Sequence, residues 1–384
     1  MEDLLNADEI KVEMPNKILS DNVAKITVIG VGGGGCNMVN HMIKEGSNKV
    51  DLISANTDRQ VLEISRAPKK IQLGAKLTKG LGAGMKPEIG RDSAIESYED
   101  IKSALDGADI VFIAAGLGGG TGTGAAAIIA KAAKEVGALT VSVVTKPFQW
   151  EGKKRAGLAN LGLEELKKVS DSIIVVPNDR LLEIIDDTVG MKDAFKIIDN
   201  ILYQAVNGMS EVILNPGNSD INTDFADVKT IMQHRGMALM GIGRAKGDGA
   251  AQKALEDAID SPLLDKVSLS GAKGILIHFN IHPQVPLLAI NDVMGNINDR
   301  MDSNAEIIFG TSSDRSLDKD EVKITIVATG FESKNEDELK PSANDPEPGA
   351  NTNSNPDNYL DIPPLMRDYV VQYNISSANQ PAEI

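Results

Sequence analysis

Two short stretches of this sequence combine residue types that bind anions. The longer is GLGGGTGTG, residues 116–124. Its glycines, Gly118, Gly119 and Gly120 among them, let the main chain turn several N–H groups toward one negative ion. The helix that follows adds its positive end. Thr121 and Thr123 bring hydroxyls that can donate to phosphate oxygens. The other stretch, GVGGGGCN at 30–37, satisfies G-x-G-x-x-G through Gly30, Gly32 and Gly35. Alone, that pattern also fits a tight strand-to-helix turn with no ligand. A dinucleotide site would add an acid at the end of the second strand, to hold a ribose hydroxyl. Here that strand closes on Ala55, Asn56 and Thr57, with Asp58 beyond it, which counts against an oxidoreductase. Two glycine loops on neighbouring strands can hold two parts of a polyphosphate. No G-x-x-x-x-G-K-[ST] occurs, so charge compensation falls to backbone dipoles and Mg²⁺.

Other candidates have plainer readings beside the chemical ones. Asp224 and Asp227 stand three apart at a helix start, with Cβ atoms about 5–6 Å apart on one face. Acids there also simply stabilise the helix. Glu151 and Arg155 have the spacing of an i, i+4 surface ion pair, and Phe195 that of a core residue on a long helix. Lys153 and Lys154 read as a solvated helix start. Cys36, the single cysteine, excludes a disulfide within the chain and a cysteine-rich zinc site. It reads as a small residue in a tight turn, although a thiol at a helix N-terminus can be acidified. His278 and His282, four apart on a strand, would be about 13 Å apart and share no metal.

The elements that must carry these residues follow from the apolar patterning. Each glycine loop follows a β-branched run, at 25–29 and 109–115, and precedes a helical stretch, at 37–44 and 125–134. Strand, glycine turn and helix form the unit of a parallel α/β sheet. Further strands are expected at 50–55, 139–145 and 172–176, with helices at 93–105, stopped by Gly107, and 161–169. Residues 23–190 therefore read as a doubly wound, Rossmann-like α/β domain. Residues 191–214 form a long central helix, with Phe195, Ile198, Ile201, Leu202, Ala205 and Met209 at helical spacing. From 215 to 330 the pattern predicts a second, smaller α/β domain. Its strands at 236–244, 274–281, 306–311 and 323–328 make a second sheet, with helices at 250–258 and 286–297.

The ends differ in composition. Residues 1–22 read as a flexible extension without signal-peptide character. Residues 331–358, rich in Asn, Pro, Ser, Asp and Glu, read as a disordered linker. It leads to an apolar and charged island from Tyr359 to Val371, YLDIPPLMRDYVV, of the kind that docks on a partner. Residues 372–384 form a tail with no assigned role. Overall the chain has 384 residues, a net charge of −16 and 3% aromatics. An acidic, aromatic-poor surface argues against nucleic-acid binding. No apolar run reaches the ~20 residues of a membrane span, so the expected place is the cytoplasm.

GGGTGTG after an apolar strand resembles the signature of the tubulin superfamily. VGGGGCN, SANTD, TKPFQWEGKKR and VPND, in that order, are similar to loops of the FtsZ family of bacterial cell-division GTPases. The resemblance runs from about residue 25 to 329 and returns at 359–371. It implies a GTPase that binds GTP and GDP with Mg²⁺ and polymerises head to tail into filaments of the mid-cell division ring. Gly33, Gly34, Gly35, Cys36 and Asn37 would form the first phosphate loop. Gly119, Gly120, Thr121 and Gly122 would lie at the β- and γ-phosphates. Thr145, Glu151 and Arg155 would contact ribose and phosphate, and Asn178, Phe195 and Asp199 would hold guanine. Asn222, Asp224 and Asp227 would enter the neighbouring subunit's site and polarise the attacking water. His41 stands where relatives contact phosphate. The island at 359–371 would bind membrane-tethering division proteins and regulators.

Overall fold

In the computed structural model, residues 24–331 are described, apart from 48, 184, 186–187, 215–224, 235, 262–263 and 265–268. The β-branched runs become buried strands, and the amphipathic stretches between them become helices that cover the sheet. The first half runs β1 (Ile26–Val31), α1 (Gly32–Lys44), β2 (Asp51–Asn56), α2 (Arg59–Ile64), β3 (Lys69–Gln72), α3 (Pro87–Glu96) and α4 (Tyr98–Leu105). It continues through β4 (Ile110–Gly116), α5 (Thr121–Glu135), β5 (Leu139–Lys146), α6 (Lys153–Val169) and β6 (Ser172–Pro177). The central helix α7 (Met191–Leu214) follows. Then come α8 (Phe225–Met232), β7 (Met237–Lys246), α9 (Ala250–Ile259), β8 (Gly274–Ile281), α10 (Leu287–Asn298), β9 (Glu306–Ser313) and β10 (Glu321–Phe331).

The described strands form one sheet in the order β3-β2-β1-β4-β5-β6-β7-β10-β8-β9. The expectation of a separate second sheet is corrected. β7 pairs in parallel with β6 through Ile173–Met237 and Ile174–Ala238, which joins the two halves edge to edge. From β3 to β6 every pairing is parallel. Beyond β7 the pairing is mixed, since β10 runs antiparallel to both β7 and β8.

Helices cover both faces of the parallel half. On one face, Met38, Val39 and Met42 of α1 pack with Ile201 and Leu202 of α7 over Val28, Phe112 and Val141. On the other, Ala94, Ile101, Ile129 and Leu166, from α3 to α6, cover Ile29, Ile53 and Ile113. A third core joins α9 and α10 to β7, β8 and β10 around Leu255, Phe279, Val293 and Ile326. Helix α7 spans the halves, because Met209 and Val212 continue the first core toward Met240, Leu276 and Val327.

Local departures from the expected elements have physical reasons. The helix expected at 93–105 starts earlier, at Pro87, whose fixed φ suits a first turn. It breaks at Ser97, which ends α3 and precedes α4. Two elements are additions: β3, a short edge strand whose Lys69 and Lys70 are exposed, and the six-residue α2.

Candidate functional site

In an open parallel sheet, ligands bind where the strand order reverses, beyond the carboxyl ends of the strands. Here the order reverses between β1 and β4, and the two glycine loops are the segments leaving those strands. Their backbones touch. A Cβ built on Gly34 would lie 3.4 Å from Gly116 main chain, and one on Gly32 2.9 Å from the Gly122 nitrogen. Helices α1 and α5 both start here without a side-chain cap and without acids in their first turns. Their orphan N–H groups and positive dipole ends thus face the same space.

That space is a cleft of about 600 Å³. Gly33, Gly34, Asn37, Gly119, Gly120, Thr121 and Gly122 line one end. Thr145, Glu151, Arg155, Asn178, Phe195 and Asp199 line the rest, together with Ile198 and Leu202 of α7. Gly35 and Cys36 do not line it. Gly35 is packed so closely that an added Cβ would sit 2.2 Å from the Ala114 carbonyl oxygen. Cys36 is fully buried, with Asn56 Nδ2 3.9 Å from its sulfur, and burial pushes the thiol up to about 11. It is therefore a packed, neutral thiol and not an acidified one.

The remaining side chains divide between lining and support. Thr123 turns inward, and its Oγ1 accepts from the Gly118 N–H at 2.8 Å, so it shapes the second loop instead of donating into the cleft. Glu151 and Arg155 do form the expected i, i+4 ion pair, and Glu151 also accepts from the Phe148 N–H at 2.9 Å. Phe195 is 40% exposed, against the core placement its helical spacing suggested. Its ring meets Phe148 edge to face at 6.0 Å, and Phe148 stacks on Trp150. Asn178 is buried, and its Oδ1 has no hydrogen-bond partner among the described residues. Burial raises the Asp199 carboxyl to about 7. His41 is not among the lining residues; it faces α7, 3.4 Å from Asn200 Oδ1 and edge to face with Tyr203.

The expected water-activating group is only partly in view. Asn222 and Asp224 lie outside the described residues, as do 1–22, 332–358, the island at 359–371 and 372–384. Asp227 lies in the first turn of α8 and is not among the residues lining the cleft. His282 lies beyond the end of β8, where its Nδ1 accepts from the Gln284 N–H, while His278 is buried within that strand. Among the described residues, no group of three His, Cys, Asp or Glu side chains is placed to hold a metal, and no helix is long and apolar enough to cross a membrane.

The sequence and fold of this chain are matched in known proteins. Residues 25–186 match the Tubulin/FtsZ family GTPase domain, and residues 236–332 match the FtsZ family C-terminal domain. Among solved structures, an empty FtsZ dimer from M. jannaschii is 45% identical to this chain. The match covers 80% of this chain and 88% of that one, with a TM-score of 0.74. The chain belongs to the FtsZ family. It is a GTP-binding, filament-forming GTPase of the tubulin/FtsZ class. Two proteins of Haloferax volcanii share the fold. A GDP-bound CetZ1 monomer is 18% identical over 80% of this chain and 95% of its own, with a TM-score of 0.70. A CetZ2 protofilament with bound GTPγS is 20% identical over 82% and 95%, with a TM-score of 0.68.

Sequence reasoning missed a third wall of this FtsZ-family cleft. Leu81, Gly82, Ala83 and Gly84 line it beside Asn56, Thr57 and Asp58. They belong to a loop in which Gly74, Lys79, Gly80, Gly82 and Gly84 all take positive φ. The signal was present as GLGAG at 80–84, but the glycines alternate with other residues and follow a weak strand. The loop is pinned by backbone bonds, Arg59 N–H to the Gly80 carbonyl at 3.0 Å and Gly82 N–H to the Thr57 carbonyl at 3.3 Å.

Proposed function

We propose that the chain is a polymerising GTPase of the bacterial division ring whose catalytic site is completed by the next subunit in a head-to-tail filament. The observation that carries this reading is one cleft lined both by two uncapped helix N-termini and by Asp199, Asn178 and Phe195. Phosphates take the N–H groups at Gly33, Gly34 and Gly119–Gly122, which the protein leaves without side-chain caps, and the Asn37 side chain lines the same space. Guanine offers two adjacent donors, N1–H and the 2-amino group, that a single carboxylate can accept together. Asp199 supplies that carboxylate, while adenine presents an acceptor at N1 and is rejected. Asn178, whose buried amide oxygen has no partner among the described residues, bonds the base, and the Phe195 ring gives it an aromatic face. Thr145 and the Glu151–Arg155 pair hold ribose and phosphate.

Mg²⁺ fits this site as a nucleotide-borne ion, because such ions are held mainly by phosphates and water with one or two carboxylates. Asp58 is the carboxylate that lines the glycine end of the cleft. When bound, the ion neutralises charge developing on the phosphates. The protein's own part is positioning, with backbone N–H groups and the Thr121 hydroxyl fixing the phosphate chain. Asn222, Asp224 and Asp227 of one subunit orient the attacking water in the cleft of the next. A contact between two different faces propagates as a filament and does not close on itself. Residues 359–371 dock on membrane-tethering division proteins and regulators, which gathers the filament at mid-cell.

The test separates binding from turnover. Asp224→Ala should bind GTP as tightly as the parent protein, exclude ATP equally, and lose at least about a hundredfold in hydrolysis rate, as positioning groups in phosphoryl transfer do. Undiminished turnover in that variant would remove these acids from the mechanism.

A further inference from the structure

We propose that Thr57 is a positioning residue that turns the Thr121 hydroxyl toward the phosphate chain. This rests on the reading of the cleft as the nucleotide site and adds a residue behind its wall. Thr57 follows the end of β2 and is fully buried, although it borders the cleft. Its Oγ1 lies 2.6 Å from Thr121 Oγ1, on the first residue of α5.

The direction of that hydrogen bond follows from burial. Each hydroxyl has one proton, and among the described residues Thr121 Oγ1 is the acceptor the buried Thr57 hydroxyl reaches. If Thr121 donated to Thr57, the Thr57 proton would be buried without an acceptor, an arrangement folded proteins avoid. The pair therefore runs from Thr57 to Thr121, and the Thr121 proton is left for the cleft. There it meets the oxygens of an anion, and a hydroxyl that is itself accepting a bond is a stronger donor. A lone Thr121 hydroxyl could rotate away; this one is held.

Thr57 is itself fixed from the other side. Its carbonyl oxygen accepts from Gln72 Nε2 at 3.0 Å, from Thr78 Oγ1 at 3.2 Å and from the Gly82 N–H at 3.3 Å. The next residue, Asp58, forms an antiparallel bridge with Leu81. One residue thus joins the loop at 73–84 through its main chain to the loop at 116–124 through its side chain. Neither glycine motif contains Thr57, which is why its role is invisible in either one.

Equilibrium GTP binding with Mg²⁺ on the full chain tests this, using Thr57→Val, Thr57→Ser, Thr121→Val and the double valine variant. Valine keeps the shape of threonine and removes the hydroxyl, while serine keeps the hydroxyl and removes the methyl. Thr57→Val should weaken GTP binding about fivefold to tenfold, the scale of one ordinary hydrogen bond. Thr57→Ser should stay within about twofold of the parent protein, and Thr57→Val should have no further effect once Thr121 is valine. Equal losses in the serine and valine variants would make the methyl the working group and overturn the proposal. A full loss on the Thr121→Val background would also overturn it, because Thr57 would then act independently of Thr121. Parent-strength binding by Thr121→Val would overturn the proposal and the placing of phosphate at this loop together.

Discussion

The two halves of the sheet use the same materials and reach different ends. From β3 to β6 all strands run parallel, so their carboxyl ends, and the loops that leave them, gather along one edge. Beyond β6, β7, β8 and β9 keep that direction and β10 alone is reversed, so this half is mixed although most of its loops leave from the same edge. Both halves pack helix backbone directly on strand glycines. A Cβ at Gly30 in β1 would strike the carbonyl oxygen of Gly35 in α1 at 2.2 Å, and one at Gly243 in β7 would strike that of Ala254 in α9 at 1.9 Å. Glycine close-packing is therefore common to both halves, whereas the cleft belongs to the parallel one. The ligand site comes from the reversal of strand order between β1 and β4, which brings two uncapped helix starts together. Neither glycine content nor an uncapped helix start alone makes it, since α9 and α10 also begin without side-chain caps.

The strongest way to break that comparison is to separate packing glycines from ligand glycines within one loop. Gly35→Ala has no room and should cost about 3 kcal/mol or more, visible as a large drop in the thermal midpoint. Gly33 has nothing within 4 Å of an added Cβ, so Gly33→Ala should melt like the parent protein yet bind GTP far more weakly. A normal melt for Gly35→Ala would mean the loop is looser than the packing indicates.

The base end gives the next largest effect. Asp199→Asn should lose GTP affinity by about a hundredfold, since the amide cannot accept from both guanine donors. It should gain affinity for xanthosine triphosphate, whose C2 carbonyl can accept from the new amide. The same carboxyl sets a pH dependence. Burial raises it from 3.8 to about 7, and only its ionised form accepts both donors. GTP affinity should thus fall by up to tenfold per pH unit below about 7, and binding there should release a proton. In the free protein the folded state holds this proton between about pH 4 and 7 while the unfolded chain does not, so this group's contribution to stability falls as pH rises through that window. Binding measured from pH 5.5 to 8 in the parent and in Asp199→Asn separates the two, because the variant should lose the slope.

The smallest effect is expected in the mixed half. Lys323 on β10 pairs with Glu211 of α7 at 3.0 Å, both about a quarter exposed. Lys323→Met should cost about 0.5–1 kcal/mol by thermal melt and leave GTP binding unchanged. A change in GTP affinity would show that the halves communicate through α7 at this pair.

Much of the parallel half was legible because strands such as ITVIGV and IVFIAAG are continuous apolar runs closed by glycine. The residues expected around guanine came from the family resemblance, since spacing alone put Phe195 in the core. Three features stayed hidden for physical reasons. The KKIQ edge strand β3 has too few apolar residues to show a period. The third loop spreads its glycines through 74–84, where each serves a positive φ and none forms a run. The continuity of the sheet rests on two residue pairs between β6 and β7, a contact between segments on either side of α7 that no local pattern encodes.

The central claim, that the catalytic site needs a neighbour, is tested most directly by GTP hydrolysis against protein concentration, with Mg²⁺ present and light scattering recorded in parallel. Specific activity should be near zero below a threshold concentration and rise above it together with scattering. Specific activity that stays constant at every concentration would contradict this. It would mean that a group within one cleft, with Asp58 the carboxylate at its glycine end, does what is assigned here to Asp224 and Asp227 of the next subunit.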